Sequence, residues 1–588
     1  MKTFNAMPQS QKEFSLFFFR SFAPSRLIIF FLFLFTINAF SENPEISKAR
    51  EIIAARGEVV VQFHKPSGIP VQQISNLIYI DKVKNDTIRA YINKNQLDNF
   101  LNLGIDFNIV MANYNTQKNQ LTGSIWNFNL YPTFPEYISM MDSFAKAFPK
   151  LCSEIEIGKS VSGRSILFIR INPDTLKPKP TVMYSSTMHG DEPCGYILML
   201  HFIDYLLNNY KKDILVTKLV DSLDIWINPL ANPDGTYAGG DNTVFGATRT
   251  NADGVDLNRN FPDPMEGIHP DGLPYQPETI EMMNLMKQHH FSLSANFHTG
   301  SEVVNYPWDS NYSLHVDNDW FKFISQEFAD SVQHYGRSGY FTDVESNGIT
   351  DGADWYIVYG GRQDYITNFQ QGREVTIEID EEIVVNNSIS KISPEDSLIN
   401  LWNYNYRSFL DYLEQAMYGI HGIVTDSLTG KPIRAKIELP GHDNDSSVIY
   451  SGSNCGDYYR LVSSGTYNIQ FSATGYISKE ISNVTVNNRQ ATHLNVLLNK
   501  GNIIILQNLT EHEFSIYPNP CKDFLNVKAD KINSANIEII DITGKKRTML
   551  NNANLSLPLN TSQLNPGFYL IKVQTPVINF IKAFTVLP

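Results

Sequence analysis

A few polar residues stand at the ends of, or inside, apolar segments where they are expensive to keep. His189 and Glu192 form a His-x-x-Glu unit directly after the apolar run 181–187. An imidazole and a carboxylate three residues apart can ligate one zinc ion, and catalytic zinc takes three protein ligands and keeps one position open. His298 closes a second apolar run, 293–297, and is followed by Thr299 and Gly300. Glu378 lies inside Val375-Thr376-Ile377-Glu378-Ile379. Strand alternation there puts Val375, Ile377 and Ile379 on one face and Thr376 and Glu378 on the other. A carboxylate in so apolar a strand is costly to bury without a partner or a role. Between these lies the segment 249–262, with two arginines, Arg249 and Arg259, and an Asn in an acidic chain. That combination suggests an anion site, because arginine holds a carboxylate with a forked pair of charge-assisted hydrogen bonds. Each feature also has a plain reading: a chance His-x-x-Glu match, a structural histidine, a buried acid with a hidden partner, a surface loop with ion pairs.

The elements that position these residues alternate along the chain. Segments 165–171, 181–187 and 223–227 read as strands, and 135–148, 195–210 and 277–289 as helices. Such alternation predicts an α/β domain with a mixed central sheet flanked by helices. Loops leaving strand ends of such a sheet are common places for active sites. Before it, segments 59–63 and 88–92 read as strands and 95–103 as a helix with Asn95 as N-cap; 115–123 is a polar linker. After residue 418 the pattern changes to short strands at 421–424, 436–439, 458–462, 467–471 and 493–498, separated by turn residues. Two small all-β sandwich domains are expected there.

The chain has 588 residues, which predicts several domains. Apolar residues make up 42% and aromatics 12%, enough for real cores and against wholesale disorder. The formal net charge of −14 argues against nucleic acid as a partner. The four cysteines, Cys152, Cys194, Cys455 and Cys521, form no CxxC pair, so a cysteine zinc site is not expected; pairing of Cys152 with Cys194 stays open. Arg20 and Arg26 precede the apolar run 27–35, which reads as a secretory signal peptide over 1–41. That run is shorter than the roughly 20 residues of a membrane-spanning helix, although an uncleaved anchor is the alternative. No other stretch is long and apolar enough, so the mature protein is expected to lack a transmembrane helix.

Taken together these pieces resemble the zinc metallocarboxypeptidases. His189 and Glu192 match the family's first motif and His298 its third ligand. The run Asn228-Pro229-Leu230-Ala231-Asn232-Pro233-Asp234-Gly235 is similar to its Asn-Pro-Asp-Gly region, and Asp256-Leu257-Asn258-Arg259-Asn260-Phe261-Pro262 to its carboxylate-binding segment. The segment 348–356 resembles the region with the mobile substrate tyrosine, which falls on Tyr356. The resemblance implies one Zn²⁺ held by His189, Glu192 and His298, Glu378 as general base and Arg249 as oxyanion donor. It implies that Asn258 and Arg259 bind the substrate's terminal carboxylate and that Tyr356 closes over it. Asp256 to Asp263, the segment 348–356 and the following sandwich are similar to the carboxypeptidase N, E, D and M subfamily, whose second domain is transthyretin-like. There Asp309 matches the acid that pairs with a basic C-terminal side chain.

The last residues carry another resemblance. Ile516-Tyr517-Pro518-Asn519-Pro520, the segment 539–545 and the segment 564–573 look like the C-terminal sorting domain of proteins exported by type IX secretion. The implied organisation is a signal peptide (1–41), an α/β accessory or pro-segment (42–124) and the catalytic domain (125–418). A transthyretin-like sandwich (419–499), a linker (500–512) and the sorting domain (513–588) follow. The implied function is a secreted zinc carboxypeptidase releasing C-terminal Lys or Arg. Its partners would be peptide or protein C-termini and the type IX machinery. Export would run through periplasm and outer membrane, to the medium or the cell surface. A zinc amidase on cell-wall peptides and a catalytically silent surface binding module are the alternatives.

Overall fold

The computed structural model describes residues 43–110, 128–381, 397–444, 446–501, 514–529, 532–541, 545–574 and 579–588. The signal peptide, the 115–123 linker and the linker from 502 onward lie outside the described residues.

The first sheet is antiparallel. Its strands β1 (Glu58–His64), β2 (Tyr79–Lys84), β3 (Thr87–Asn93) and β4 (Asn108–Ile109) run in the order β2-β3-β1-β4. Val59, Val61 and Phe63 stand opposite Ile92, Ala90 and Ile88, and all six are buried. Cross-strand pairs of this kind on one face are the unit of sheet stabilisation. Ala49 and Ile53 of the helix Pro44–Arg56 complete that core. The helix predicted over 95–103 is one short turn, Leu97–Leu101, and its N-cap is Gln96, not Asn95. The Asn93 carboxamide oxygen accepts from the Asn95 N–H (2.9 Å), and Gln96 reaches back to the Asn93 N–H (3.0 Å). Side chains that bind nearby backbone in this way compete with helix formation.

The second sheet has eight strands: β5 (Cys152–Lys159), β6 (Ser165–Ile171), β7 (Thr181–Ser186), β8 (Asp224–Asn228), β9 (Leu293–His298), β10 (Ser301–Tyr306), β11 (Ile349–Asp351) and β12 (Glu374–Asp380). The order is β11-β10-β12-β9-β7-β8-β6-β5. The central neighbours β12, β9, β7 and β8 are parallel, while β10 against β12 and β6 against β5 and β8 are antiparallel. This is the mixed sheet expected from the sequence. Val182, Tyr184, Phe297, Val375, Ile377 and Ile379 face the helices Cys194–Asn209, Asn318–Tyr335 and Leu398–Gln415. On the other face Phe168, Met183 and Trp226 meet Met282, Met283 and Met286 of the helix Pro277–Gln288. Both faces of the sheet are therefore covered, as parallel strands require.

Beyond the helix Leu398–Gln415 the described residues are all β. One pair of four-stranded sheets spans 419–498 around Ile420, Val424, Ile437 and Phe471. The predicted strand 493–498 is split into Ala491–His493 and Val496–Leu498. The Asn495 side chain accepts from the Ile423 N–H (3.0 Å) where a backbone carbonyl would continue the ladder. A three-stranded and a four-stranded sheet follow from Phe514 onward, around Ile537, Ile539, Ile571 and Phe584. All four cysteines are free thiols, so Cys152 and Cys194 are not paired. Among the described residues no helix is long and apolar enough to cross a membrane.

Candidate active site and metal centre

The site forms where parallel strands end. After β7 the chain turns through Thr187, at φ 59°, into the loop carrying His189 and Glu192. That loop passes under the turn at Gly235: a Cβ on Gly190 would lie 2.2 Å from the Gly235 carbonyl carbon, so only glycine fits. Asn232 ties two loops together, its amide donating to the carbonyls of Met188 (3.1 Å) and Arg249 (3.4 Å). This is what the Asn-Pro-Asp-Gly segment does here: it clamps the loop of His189 to the loop of Arg249. His298 is the last residue of β9, beside β7, and Glu378 of β12 is its register partner. Three segments far apart in the chain therefore present polar groups at one strand-end row.

His189 Nδ1 lies 2.7 Å from one Glu192 oxygen, and His298 Nδ1 lies 2.9 Å from the other and 3.1 Å from His189 Nδ1. All three side chains are buried, and their ligand atoms converge as metal ligands do. His189, Glu192, His298, Glu378, Arg249, Asn258, Arg259, Tyr356 and Asp309 all line the same cleft. Every residue singled out in the sequence is thus brought together. The Asn258 carboxamide oxygen accepts from the Arg362 N–H (3.0 Å), which leaves its NH₂ as the available donor.

Asp256 is a residue that the sequence reading placed in a motif without a role. It is fully buried, and its Oδ1 lies 3.0 Å from His189 Nε2. Its Oδ2 accepts from Arg249 Nε (2.9 Å). An acceptor on Nε2 holds the imidazole tautomer that frees Nδ1 for a metal. The only signal for it was an acid two residues before the expected clamp.

Charge is tightly balanced. Burial raises the Glu192 carboxyl, but His189 and His298 outweigh that and hold it well below its ordinary range. Burial and Arg249 lower the His189 imidazole, while its two flanking carboxylates, Glu192 and Asp256, lift it above its ordinary value. His298 has one carboxylate neighbour, and burial pushes it down to about 4. Burial, followed by the charges of Glu192 and Asp81, pushes Glu378 well above the usual carboxylate range. One Glu378 oxygen has no hydrogen-bond partner among the described residues.

The sequence did not reveal that the first sheet reaches into this cleft. Asp81 of β2 lines it, with Oδ1 3.6 Å from Arg249 Nη1, and pairs with Arg89. Glu58 accepts from the Arg249 N–H (2.7 Å) and the Thr250 hydroxyl (2.9 Å). The Tyr91 hydroxyl donates to Asp191 (2.5 Å), and the Ile80 carbonyl accepts from Arg259 Nη2 (3.4 Å). Tyr356 packs on the apolar cluster of this small sheet.

At the far end of the cleft, Asp309 accepts from Asn305 Nδ2 (2.9 Å) and Gln363 Nε2 (3.0 Å). A Cβ on Gly352 would lie 2.0 Å from its Oδ1, so the pocket depends on that glycine. Burial, and then Asp364 behind it, push the Asp309 carboxyl well above its ordinary range. Asp364 is itself held by the backbone N–H groups of Asp309 (3.0 Å) and Ser310 (2.9 Å).

Two imidazoles and a carboxylate at parallel strand ends, with a buried glutamate and a guanidinium beside them, are the marks of a metal-dependent hydrolase. Residues 137–404 match the family described as "Zinc carboxypeptidase", and residues 515–586 match "Secretion system C-terminal sorting domain". Carboxypeptidase M of Mus musculus is 33% identical over 357 residues, covering 58% of this chain and 78% of that protein. Carboxypeptidase E of Caenorhabditis elegans is 31% identical over 388 residues, covering 58% of this chain and 80% of that protein. Carboxypeptidase D of Mus musculus is 36% identical over 384 residues, covering 62% of this chain. The chain spans about a quarter of the length of that longer relative, 26%. The chain belongs to the zinc carboxypeptidase family. Zinc is the family's cofactor, and the donor set fits it: two imidazole nitrogens and one carboxylate, buried and convergent.

Proposed function

We propose that this protein is a zinc carboxypeptidase that releases C-terminal Lys or Arg from extracellular peptides. The observation carrying this reading is the convergence of His189, Glu192 and His298 beside Glu378 and Arg249, in one cleft with a second arginine. Zinc, when bound by the three ligands, lowers the pKa of a ligated water toward about 7 and polarises a carbonyl. Glu378 accepts the proton of the attacking water and returns it to the leaving amine. Arg249 donates to the oxyanion, held in place by Asp256 and Glu192. Arg259 and Asn258 take the terminal carboxylate, and Tyr356 covers it. A chain extending past that point would leave a guanidinium unpaired, which disfavours internal bonds. A cationic side chain entering beside Asp309 supplies the counter-charge that this buried acid lacks.

The test is hydrolysis of peptides ending in Arg, Lys, Leu or Phe, with and without a chelator. Release of Arg and Lys is expected to be fastest and to stop with the chelator; faster Leu or Phe would overturn the side-chain assignment. Glu378→Gln should keep its zinc and lose roughly 10²–10⁴-fold in kcat. Unchanged turnover in that variant would favour the binding-module alternative, and cleavage of cell-wall fragments alone would favour the amidase.

Of the two roles open for residues 42–124, accessory domain or pro-segment, the contacts of the described residues 43–110 favour a pro-segment. Asp81 faces the oxyanion arginine, and Ile80 occupies the clamp arginine. N-terminal sequencing of the secreted protein, with activity measured before and after loss of this segment, tests the assignment. Export through the periplasm and outer membrane by type IX secretion rests on the 515–586 match and the signal-like N-terminus. Deleting 513–588 should trap the protein inside the cell envelope.

A further inference from the structure

The two ligand histidines are not held alike. Both turn Nδ1 toward Glu192 and Nε2 away from it. An imidazole that offers Nδ1 to a metal while neutral must carry its proton on Nε2, and that N–H needs an acceptor. For His189 the acceptor is the Asp256 carboxylate, at 3.0 Å. For His298 the polar group at Nε2 is the side-chain amide of Asn296, at 2.8 Å. Asn296 is fully buried and sits two residues earlier on β9, so both side chains leave the same face of the sheet. In the structure its NH₂ meets the ring and also lies 3.0 Å from Met188 Sδ, while its oxygen has no partner among the described residues. A half-turn of the amide exchanges the two atoms at nearly constant shape and presents the oxygen to Nε2. In doing so the amide gives up its contact to the Met188 thioether and turns its NH₂ to the side where the oxygen had no partner among the described residues.

We propose that Asn296 is a positioning residue for the metal centre: its carbonyl oxygen takes the Nε2–H of His298 and keeps Nδ1 of that ring free for zinc. The choice of an amide over a second carboxylate has a physical reason. The centre already buries Glu192, Asp256 and Glu378 close together. A further anion would add desolvation and repulsion, whereas a neutral acceptor sets the tautomer without charge.

The inference rests on the zinc reading of the site, and its test separates the two. Zinc affinity of the full chain is measured by competition with a chromophoric chelator for wild type, Asn296→Leu and Asn296→Asp. Asn296→Leu should bind zinc about 10–100-fold more weakly, the usual loss for such outer partners. Asn296→Asp, which restores an acceptor, should recover most of that loss. Equal affinity of wild type and Asn296→Leu would overturn the inference alone; a wild type that binds no zinc would overturn both readings. Should Asn296→Leu fail to fold, cobalt substitution of the wild type provides the check. Two paramagnetically shifted ring N–H signals that exchange slowly with solvent are expected, and a single slow signal would refute the role.

Discussion

Two small units lie against the central α/β body, and they are attached by different physics. The first, residues 43–110, meets it partly at groups that line or adjoin the cleft, Arg249, Arg259 and Asp191, and partly through the ion pairs Lys82–Asp343 (3.0 Å) and Lys84–Glu381 (2.9 Å). The second, residues 419–501, meets it through buried charges that neutralise only one another. Asp317 accepts from Arg373 (2.6 Å), Arg460 (2.9 Å) and His442 (2.9 Å), and Arg460 also holds Asp443 (2.5 Å). Asp317, His442 and Asp443 cluster like metal ligands, but two guanidiniums already occupy their charge. Leu461 of the sandwich moreover belongs to the main apolar core. The lesson is about reversibility. A contact made to functional groups can be released and leave those groups solvated by substrate or water. A buried ion cluster cannot be opened without stranding a charge.

The largest expected effect follows from that contrast. Asp317→Ala leaves Arg373 and Arg460 facing each other in the interior, and chemical denaturation should show a loss of about 3–5 kcal/mol. A near-neutral result would mean that the sandwich is only loosely attached. Next, Asp81→Ala should raise peptidase activity while lowering thermal stability, because it also removes the ion-pair partner of the part-buried Arg89. The Asp81–Arg249 contact is an ion pair at 3.6 Å, and a rise of up to roughly tenfold in kcat/KM, equivalent to about 1.4 kcal/mol, is expected when it is removed. Falling activity would reverse the reading of residues 43–110.

A pH scan sharpens the comparison further. Burial raises the Asp317 carboxyl, but Arg460 and Arg373 dominate and hold it well below its ordinary 3.8. A depressed folded pKa means that its contribution is fully present above the ordinary value and is lost as pH falls toward the folded one. Melting of the Asp317→Ala variant and wild type should therefore differ by a constant amount from pH 8 to pH 5. The gap should close only below about pH 4. The smallest effect belongs to Arg489, which is 66% exposed and pairs with Glu327 (2.5 Å) across the same boundary. Arg489→Ala should change stability by less than about 1 kcal/mol, measurable as a small shift in melting temperature.

Much of the centre was legible because its signals are local. Alternation in 375–379 placed Glu378 opposite three core residues, and the strand-then-loop pattern placed His189 and His298 at strand ends. The contribution of β2 and β3 was not legible: Asp81 and Tyr91 sit in strands that look ordinary, and their partners Arg249 and Asp191 lie a hundred residues or more away. Asn296 and Asp256 were hidden for a related reason. Polar residues beside a motif are common, and only the direction of a neighbouring imidazole nitrogen distinguishes a partner from a bystander.

By itself the sequence placed Glu378 inside an apolar strand and His189 and His298 at strand ends, which follows from short-range periodicity that the backbone enforces residue by residue, while its motifs resembled the family to which the chain belongs. Only the tertiary structure decided that a separate sheet covers the cleft, that the sandwich is bound by a buried charge cluster, and which side chain faces each Nε2. Those depend on how distant surfaces pack and on where unpaired charge can be tolerated, and no single segment carries that information.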